Sequence, residues 1–242
     1  SSANEMRLSM LAGKKVLVII TGRIAAYKSL ELVRKLKEKG AEVIPVMTKA
    51  AENFVTPMSV SALAQEKVYN KLFDLTDEAE MGHIELSRSS DLIVVVPASA
   101  DFIAKTATGQ ANDLASTLIL ATDTKVLMAP AMNVRMWENP LTQKNIKILH
   151  KNGIKFVGPD EGEMACGEFG FGRMAEADEI LKEIEANFRD KKLKGRHFLV
   201  TSGPTIEPID PVRFIGNRSS GLQGGAIASE LFESGAEVTF IT

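Results

Sequence analysis

Three uninterrupted apolar runs constrain this chain more than any other feature: Lys15–Ile20 (KVLVII), Leu92–Val96 (LIVVV) and Lys125–Met128 (KVLM). A strand with one face in water alternates polar and apolar residues, because successive side chains point to opposite faces. A run without alternation has both faces covered, as parallel strands between layers of helices do. Helical patterns lie between the runs. Leu30, Val33 and Leu36 recur at helical spacing and stop at Gly40, a C-terminal cap. Thr56-Pro57 is a cap followed by a proline in the first helical position, opening a helix through Leu63. Another helix covers Thr142 to Lys151, with Gly153 behind it. Glu42–Met47 (EVIPVM) reads as the second strand, with Pro45 arguing against regular pairing, and Lys155 to Val157 starts a last short one. This alternation predicts an α/β fold, a doubly wound, mostly parallel sheet with helices on both faces.

The pattern then breaks and restarts. An amphipathic helix over Glu176–Arg189 leads into the charged linker Asp190–Gly195 (DKKLKG). A strand (His197–Thr201), Ser202-Gly203-Pro204, a helix ending at Gly235 and a strand from Glu237 follow. One strand–helix–strand unit cannot cover both faces of its own sheet, so residues 196–242 are expected to open a second α/β domain of a longer polypeptide. The expected division is a tag remnant or disordered N-terminus at 1–12, a main domain at 13–189, a linker at 190–195 and the second domain from 196. With 29 basic against 31 acidic side chains the net charge is −2, so there is no electrostatic footprint for a nucleic-acid or anionic-membrane partner. No apolar run is long enough to cross a bilayer, and a cytoplasmic location is the default expectation.

Candidate chemistry lies where strands end. The first βα turn, Thr21-Gly22-Arg23-Ile24-Ala25-Ala26-Tyr27-Lys28, is not a GxGxxG turn, and the second strand ends in Thr48-Lys49 rather than an acidic residue. Both count against NAD and leave a mononucleotide phosphate or a plain tight turn. After LIVVV come Pro97-Ala98-Ser99-Ala100-Asp101-Phe102, small residues that let a flat ligand approach, with Ser99 as a hydrogen-bond donor. After KVLM come Pro130-Ala131-Met132-Asn133-Val134-Arg135-Met136-Trp137. Both segments leave the sheet at the same edge and are expected to line one crevice, where the Asn133 amide can donate and accept. Met132, Met136 and Trp137 read equally as core packing. His83, at the start of a short helix, is a structural histidine or, in the crevice, a neutral-pH base. Cys166 stands in a segment with four glycines, Gly162 to Gly172, which reads as a flexible lid. It is the only cysteine, which excludes a disulfide or zinc role. In the second unit, Ser219, Ser220 and Gly221 are positioned to cap the next helix.

Taken in order, GxIAAYK (Gly22–Lys28), His83-Ile84, PASA (Pro97–Ala100), PAMNxxMW (Pro130–Trp137), ACGExGxGRM (Ala165–Met174) and GPTxEPIDPVRxIxNxSSG (Gly203–Gly221) resemble the bacterial bifunctional phosphopantothenoylcysteine decarboxylase/phosphopantothenate–cysteine ligase family of coenzyme A biosynthesis. The resemblance implies a Rossmann/flavodoxin-like fold and FMN-dependent decarboxylation of 4′-phosphopantothenoylcysteine to 4′-phosphopantetheine. It implies that the flavin oxidises the substrate thiol to a thioaldehyde, an electron sink without which the decarboxylated carbanion has nowhere to delocalise. Residue by residue, it implies His83 as base, Asn133 as ligand of the substrate carboxylate beside Met132 and Ala165, and Cys166 as the acid that protonates the ene-thiol. It places Gly22, Arg23, Ile24, Thr48, Ser99, Ala100, Asp101, Phe102 and Ala131 at the flavin, and Asn217 in a ligase half that uses CTP and Mg when complete. It also implies a homotrimer or higher homo-oligomer, a dodecamer included. The chain departs from the family at Arg23, where glycine or serine is usual, and at Asp101-Phe102, where Asn-Thr or a similar pair is usual. Arg23 adds charge to phosphate binding or crowds the loop, and Asp101 near a flavin disfavours its anionic reduced form. The alternatives are a flavin prenyltransferase and a non-catalytic flavin-binding regulatory subunit.

Overall fold

The computed structural model describes residues 10–71, 79–163, 167, 169–189, 193–217 and 219–241. The chain divides into two units, Ser1–Ala186 and Asn187–Thr242. In the first, β1 (Lys15–Ile20), α1 (Ala26–Glu38), β2 (Glu42–Met47), a 3-10 turn (Lys49–Asn53), α2 (Pro57–Ala64) and α3 (Ala79–Arg88) are followed by β3 (Leu92–Ala98) and α4 (Ala100–Ala107). Then come α5 (Leu114–Ala121), β4 (Val126–Pro130), α6 (Val134–Glu138), α7 (Pro140–Lys151), β5 (Lys155–Phe156), β6 (Asp160–Glu163), β7 (Phe169–Arg173) and α8 (Ala177–Phe188). The five-stranded sheet is parallel, in the order β2-β1-β3-β4-β5. Val16 to Ile20 are all fully buried. Alternate residues face opposite sides of a sheet, so both faces of β1 are covered.

The helices form for local reasons. Thr56 accepts from the Ser59 N–H at 3.1 Å at the head of α2, and Asp113 and Ser116 form a reciprocal capping box at the head of α5. Pro140 follows the cap Asn139, so α7 begins two residues before the expected Thr142. Gly40, with φ of 82°, ends α1. α1 buries Ala26, Ser29, Leu32, Val33 and Leu36, and α4 and α5 close over the core around Ile93, Val95 and Met128.

Several expectations change. Pro45 does not disturb pairing, and β1 and β2 run in unbroken register from Lys15↔Glu42 to Ile20↔Met47. β2 is an edge strand whose residues 42 and 48 bond inward while 45 and 47 bond outward to Tyr69. The missing N–H of Pro45 therefore faces the edge, where the ladder with β1 does not need it. β3 runs on through Pro97 and Ala98, which the sequence suggested lay beyond it. The N-terminal remnant expected at 1–12 lies outside the described residues up to Ser9. Beyond that point Leu11 is fully buried and the Gly13 N–H donates to the Gly40 carbonyl at 3.0 Å, so ordered structure begins before Gly13.

In the second unit, β8 (His197–Thr201), β9 (Ile206–Pro208), β10 (Phe214–Gly216), α9 (Leu222–Glu233) and β11 (Glu237–Ile241) give one parallel pair, β8–β11, and one antiparallel pair, β9–β10. No described helix of either unit is long and apolar enough to cross a membrane.

Candidate functional site

The strand order turns about β1, with β2 on one side and β3 on the other. Chains leaving the C-terminal ends of such neighbours diverge and open a crevice. Thr21, 2% exposed, ties the two ends together. Its hydroxyl donates to the Pro97 carbonyl at 2.5 Å and accepts from the Ser99 N–H at 3.1 Å.

The expected single crevice is two adjoining cavities. One, of about 530 Å³, is polar and is lined by Thr21, Gly22, Arg23, Thr48, Lys49, Asn53, Ser99, Ala100, Asp101, Phe102, Lys105, Asp113 and Met136. The other, of about 750 Å³, is lined by Arg23, Ile24, Tyr27, Lys28, Phe54, Ala131, Met132, Asn133, Glu163, Gly172, Arg173 and Met174. Arg23 belongs to both. Its Nε donates to the Ala131 carbonyl at 3.2 Å and its guanidinium reaches the Met136 sulfur at 3.3 Å. That crossing is what divides the crevice.

In the polar cavity, Gly22 has a steric reason. A Cβ there would lie 2.4 Å from the Ala50 Cβ and 2.8 Å from the Ala50 carbonyl oxygen, so only glycine lets the Lys49–Asn53 turn come this close. Thr48 caps that turn by accepting from the Ala51 N–H at 3.3 Å. Ser99 Oγ accepts from the Phe102 N–H at 3.1 Å and caps α4, a bond that uses a lone pair and not the O–H expected as a donor. Phe102 is 2% exposed and belongs to the core. The Asp101 carboxylate turns outward, 79% exposed, 3.5 Å from Lys105.

In the second cavity, the Asn133 Oδ1 accepts from the Met136 N–H at 2.8 Å and caps α6. The acceptor end of the amide is thereby committed, and Nδ2 remains the end with no partner among the described residues. Ala131 and Met132 are buried, whereas Met136 is 36% exposed and Trp137 packs against the core. Lys28, its side chain only 11% exposed, donates to Glu176 Oε1 at 2.8 Å, and Arg173 donates to the same oxygen at 3.0 Å. The Lys28 ammonium holds the Glu176 carboxyl below its ordinary range, with Arg173 adding to the effect.

The glycine-rich segment is a two-stranded antiparallel hairpin, β6–β7. Its glycines permit close contact. A Cβ on Gly172, whose φ is 138°, would lie 2.3 Å from the Met132 carbonyl oxygen, and one on Gly170 would lie 2.8 Å from Val134. The Met132 N–H also donates to the Gly172 carbonyl at 3.0 Å. The stem is thus fastened to the Ala131–Val134 segment rather than freely hinged. Cys166 and Ala165 lie outside the described residues. His83 sits mid-helix in α3, not at a helix start, and its side chain lies outside the described part of the molecule.

Asn217 belongs to the second unit. Its Oδ1 accepts from the Thr205 N–H at 3.3 Å and the Ser219 N–H at 3.2 Å, joining two loop arms. Gly221, with φ of 73°, heads α9 without a side-chain cap, and Ser219 accepts from the Gly221 N–H instead.

Thr21, Lys28, Lys49 and Arg173 line the cavities from segments the sequence brought forward without giving these residues a role, and Asn53, Phe54, Lys105 and Glu163 line them without having been singled out. Thr21 and Lys49 abut strand ends, a signal within reach. Lys105 and Glu163 depend on helix and hairpin register and leave no such trace.

The family described as "Flavoprotein" matches residues 5–189, and the family described as "DNA/pantothenate metabolism flavoprotein C-terminal domain" matches residues 193–242. A relative named coenzyme A biosynthesis bifunctional protein CoaBC, from Vibrio vulnificus, is 49% identical over 97% of this chain and 59% of its own length. The chain thus spans about three-fifths of that relative. A mutant PPC decarboxylase complexed with pantothenoylaminoethenethiol is 33% identical, covering 71% of this chain and 96% of its own, at a TM-score of 0.62. The FMN binding protein AtHal3 is 35% identical, covering 71% and 94%, at 0.60.

Proposed function

The chain belongs to the flavoprotein family, and from that membership we propose that it binds FMN and decarboxylates 4′-phosphopantothenoylcysteine to 4′-phosphopantetheine in the cytoplasm. The relatives named for coenzyme A biosynthesis and for PPC decarboxylase support the substrate, and the FMN binding protein supports the cofactor. The residues fit a flavin nucleotide on their own terms. Gly22, in the lining of the polar cavity, lets the backbone at Ala50 come close, where a Cβ would overlap it, and the Arg23, Lys49 and Lys105 cations that line it suit a phosphate. Ile24, Ala131 and Met174 beside it give apolar surface for a ring.

The observation that carries the reading is the orientation of Asn133. Its N-cap bond fixes which end of the amide is committed, and the remaining N–H donors are what a carboxylate accepts. A neutral donor holds that carboxylate without the strong ion pairing that would oppose its departure as carbon dioxide. When bound, the flavin would supply a sink for two substrate electrons and return them before product leaves, so the net reaction is loss of carbon dioxide alone. His83 serves as the base that takes a substrate proton, and Cys166 protonates the ene-thiol. Ile24, Tyr27 and Phe54 at the second cavity are exposed apolar side chains. This is the surface a homotrimer or larger assembly would cover, and the site is completed between its subunits. Residues 13–189 form the decarboxylase domain. Residues 196–242, with Asn217, are the opening of a ligase domain whose reaction uses CTP and Mg in the longer relatives.

The test is the visible spectrum of the purified chain beside carbon dioxide release from 4′-phosphopantothenoylcysteine. A yellow protein that releases FMN on denaturation and evolves carbon dioxide is expected, as is His83→Asn that keeps the flavin and loses turnover. A protein that cannot be reconstituted with flavin rejects the reading. One that holds flavin but releases no carbon dioxide favours a prenyltransferase or a regulatory subunit.

A further inference from the structure

The cations around the two cavities are not equivalent. Lys28 and Arg173 both bond to Glu176, Lys105 pairs with Asp101, and Lys49, with no ion pair among the described residues, is exposed to solvent. Arg23 is half-buried, lines both cavities and has no carboxylate within ion-pair distance among the described residues. Its side chain bonds only to neutral groups, the Ala131 carbonyl at 3.2 Å and the Met136 thioether at 3.3 Å. Sulfur of this kind is a weak acceptor, and a guanidinium with five donors keeps its charge at any working pH. A charge that has left part of its hydration and found no counter-ion gains more from an anion than from either partner it has. The side chain also reaches across the crevice to a segment 108 residues away, so it does not crowd its own loop.

We propose that Arg23 is the phosphate-discriminating residue of this site: its guanidinium exchanges the Ala131 carbonyl and the Met136 sulfur for two oxygens of a phosphate monoester. The inference rests on the flavoprotein reading above and deepens it. Two ligands carry that chemistry, the FMN phosphate on the polar side and the 4′-phosphate of the substrate on the other. Arg23 touches both cavities, so the bridge it makes in the free protein opens when either phosphate takes its fork.

The experiment titrates the flavin-stripped full chain with FMN and with riboflavin, read by flavin fluorescence, for the native protein, Arg23→Gly, Arg23→Gln and Arg23→Lys. A lost charge-assisted pair corresponds to a roughly ten- to hundredfold weakening. Arg23→Gly and Arg23→Gln are expected to raise the FMN Kd by that factor and leave the riboflavin Kd within about twofold. Arg23→Lys should fall between, because an ammonium keeps the attraction without the fork. If the flavin ratio is unchanged but the KM advantage of 4′-phosphopantothenoylcysteine over its dephosphorylated form collapses tenfold or more, the phosphate is the substrate's. Equal weakening of FMN and riboflavin with an unchanged KM ratio, or tighter FMN binding by Arg23→Gly, overturns the proposal while leaving the flavin reading intact. A native protein that binds neither flavin sinks both.

Discussion

β1 and β8 begin alike and end differently. Each opens a strand–turn–helix–strand passage, and the third residue of each is leucine, Leu17 in one and Leu199 in the other. Leu17 is fully buried and Leu199 is 62% exposed. β1 has a strand on either side and helices over both faces, whereas β8 pairs only with β11. α9 half-covers Phe198, Val200 and Val238, and the opposite face, with Leu199 and Ile241, stays open. Burial is therefore set by how many layers surround a strand rather than by the strand's own residues. Leu17→Ala should cost about 2–5 kcal/mol in urea unfolding and Leu199→Ala within about 0.5 kcal/mol. Equal costs would mean that something covers the open face of β8 in solution, and the contrast would fail.

The same contrast explains what was legible beforehand. The parallel sheet was readable because KVLVII and LIVVV carry no alternation, and only a two-face environment tolerates that. HFLVT in β8 is mixed, and there the expectation of a new domain came from the repeated passage instead. Strand ends were readable too, so Gly22, Thr48, Ser99, Ala131 and Asn133 all fall on the cavities. What could not be read were committed bonding directions. Ser99 and Asn133 both spend an oxygen on capping a helix, because each stands immediately before a helix start. Glycine serves both flexibility and close approach, and in the described stem the distances to Met132 and Val134 identify Gly172 and Gly170 as close-approach glycines, while the part of the segment that carries Cys166 lies outside the described residues. The split of the crevice by Arg23 depends on a side chain crossing to another segment, which no local pattern encodes.

Glycines sharpen the comparison at a smaller scale. Gly22→Ala forces a Cβ into Ala50 and should destabilise the first unit by about 1–3 kcal/mol, as read by its thermal transition. In the second unit Gly225, inside α9, would meet nothing within 4 Å, so Gly225→Ala should stabilise that helix by about 0.5–1 kcal/mol. Its neighbour Gly224 is the internal control, since a Cβ there would lie 2.4 Å from Ser202 and the substitution should lower stability. If Gly224→Ala and Gly225→Ala behave identically, α9 does not pack on the Ser202 turn as described.

The smallest effect is electrostatic and again separates the units by how far their contacts reach. Glu176 is held below its ordinary range first by a hydrogen bond from Lys28, distant in sequence. Asp210 is held down first by the Val212 backbone N–H, then by the Arg213 side chain and backbone. A carboxyl with a lowered folded pKa stabilises the protein above its unfolded value and loses that contribution as pH falls through the folded one. Glu176 is half exposed, so solvent screening limits its share to about 0.2–1 kcal/mol. Acidification from the ordinary glutamate range downward should remove this increment from the native protein, and from Glu176→Gln it should remove nothing. NMR titration gives the finer test. Lys28→Met should return Glu176 toward an ordinary carboxyl, because its largest cause is gone. Arg213→Met should leave Asp210 lowered, because the backbone of its own turn remains. A return of Asp210 to ordinary behaviour would show that its turn forms only with the guanidinium in place, making this loop as dependent on a side-chain partner as the first unit is on Lys28.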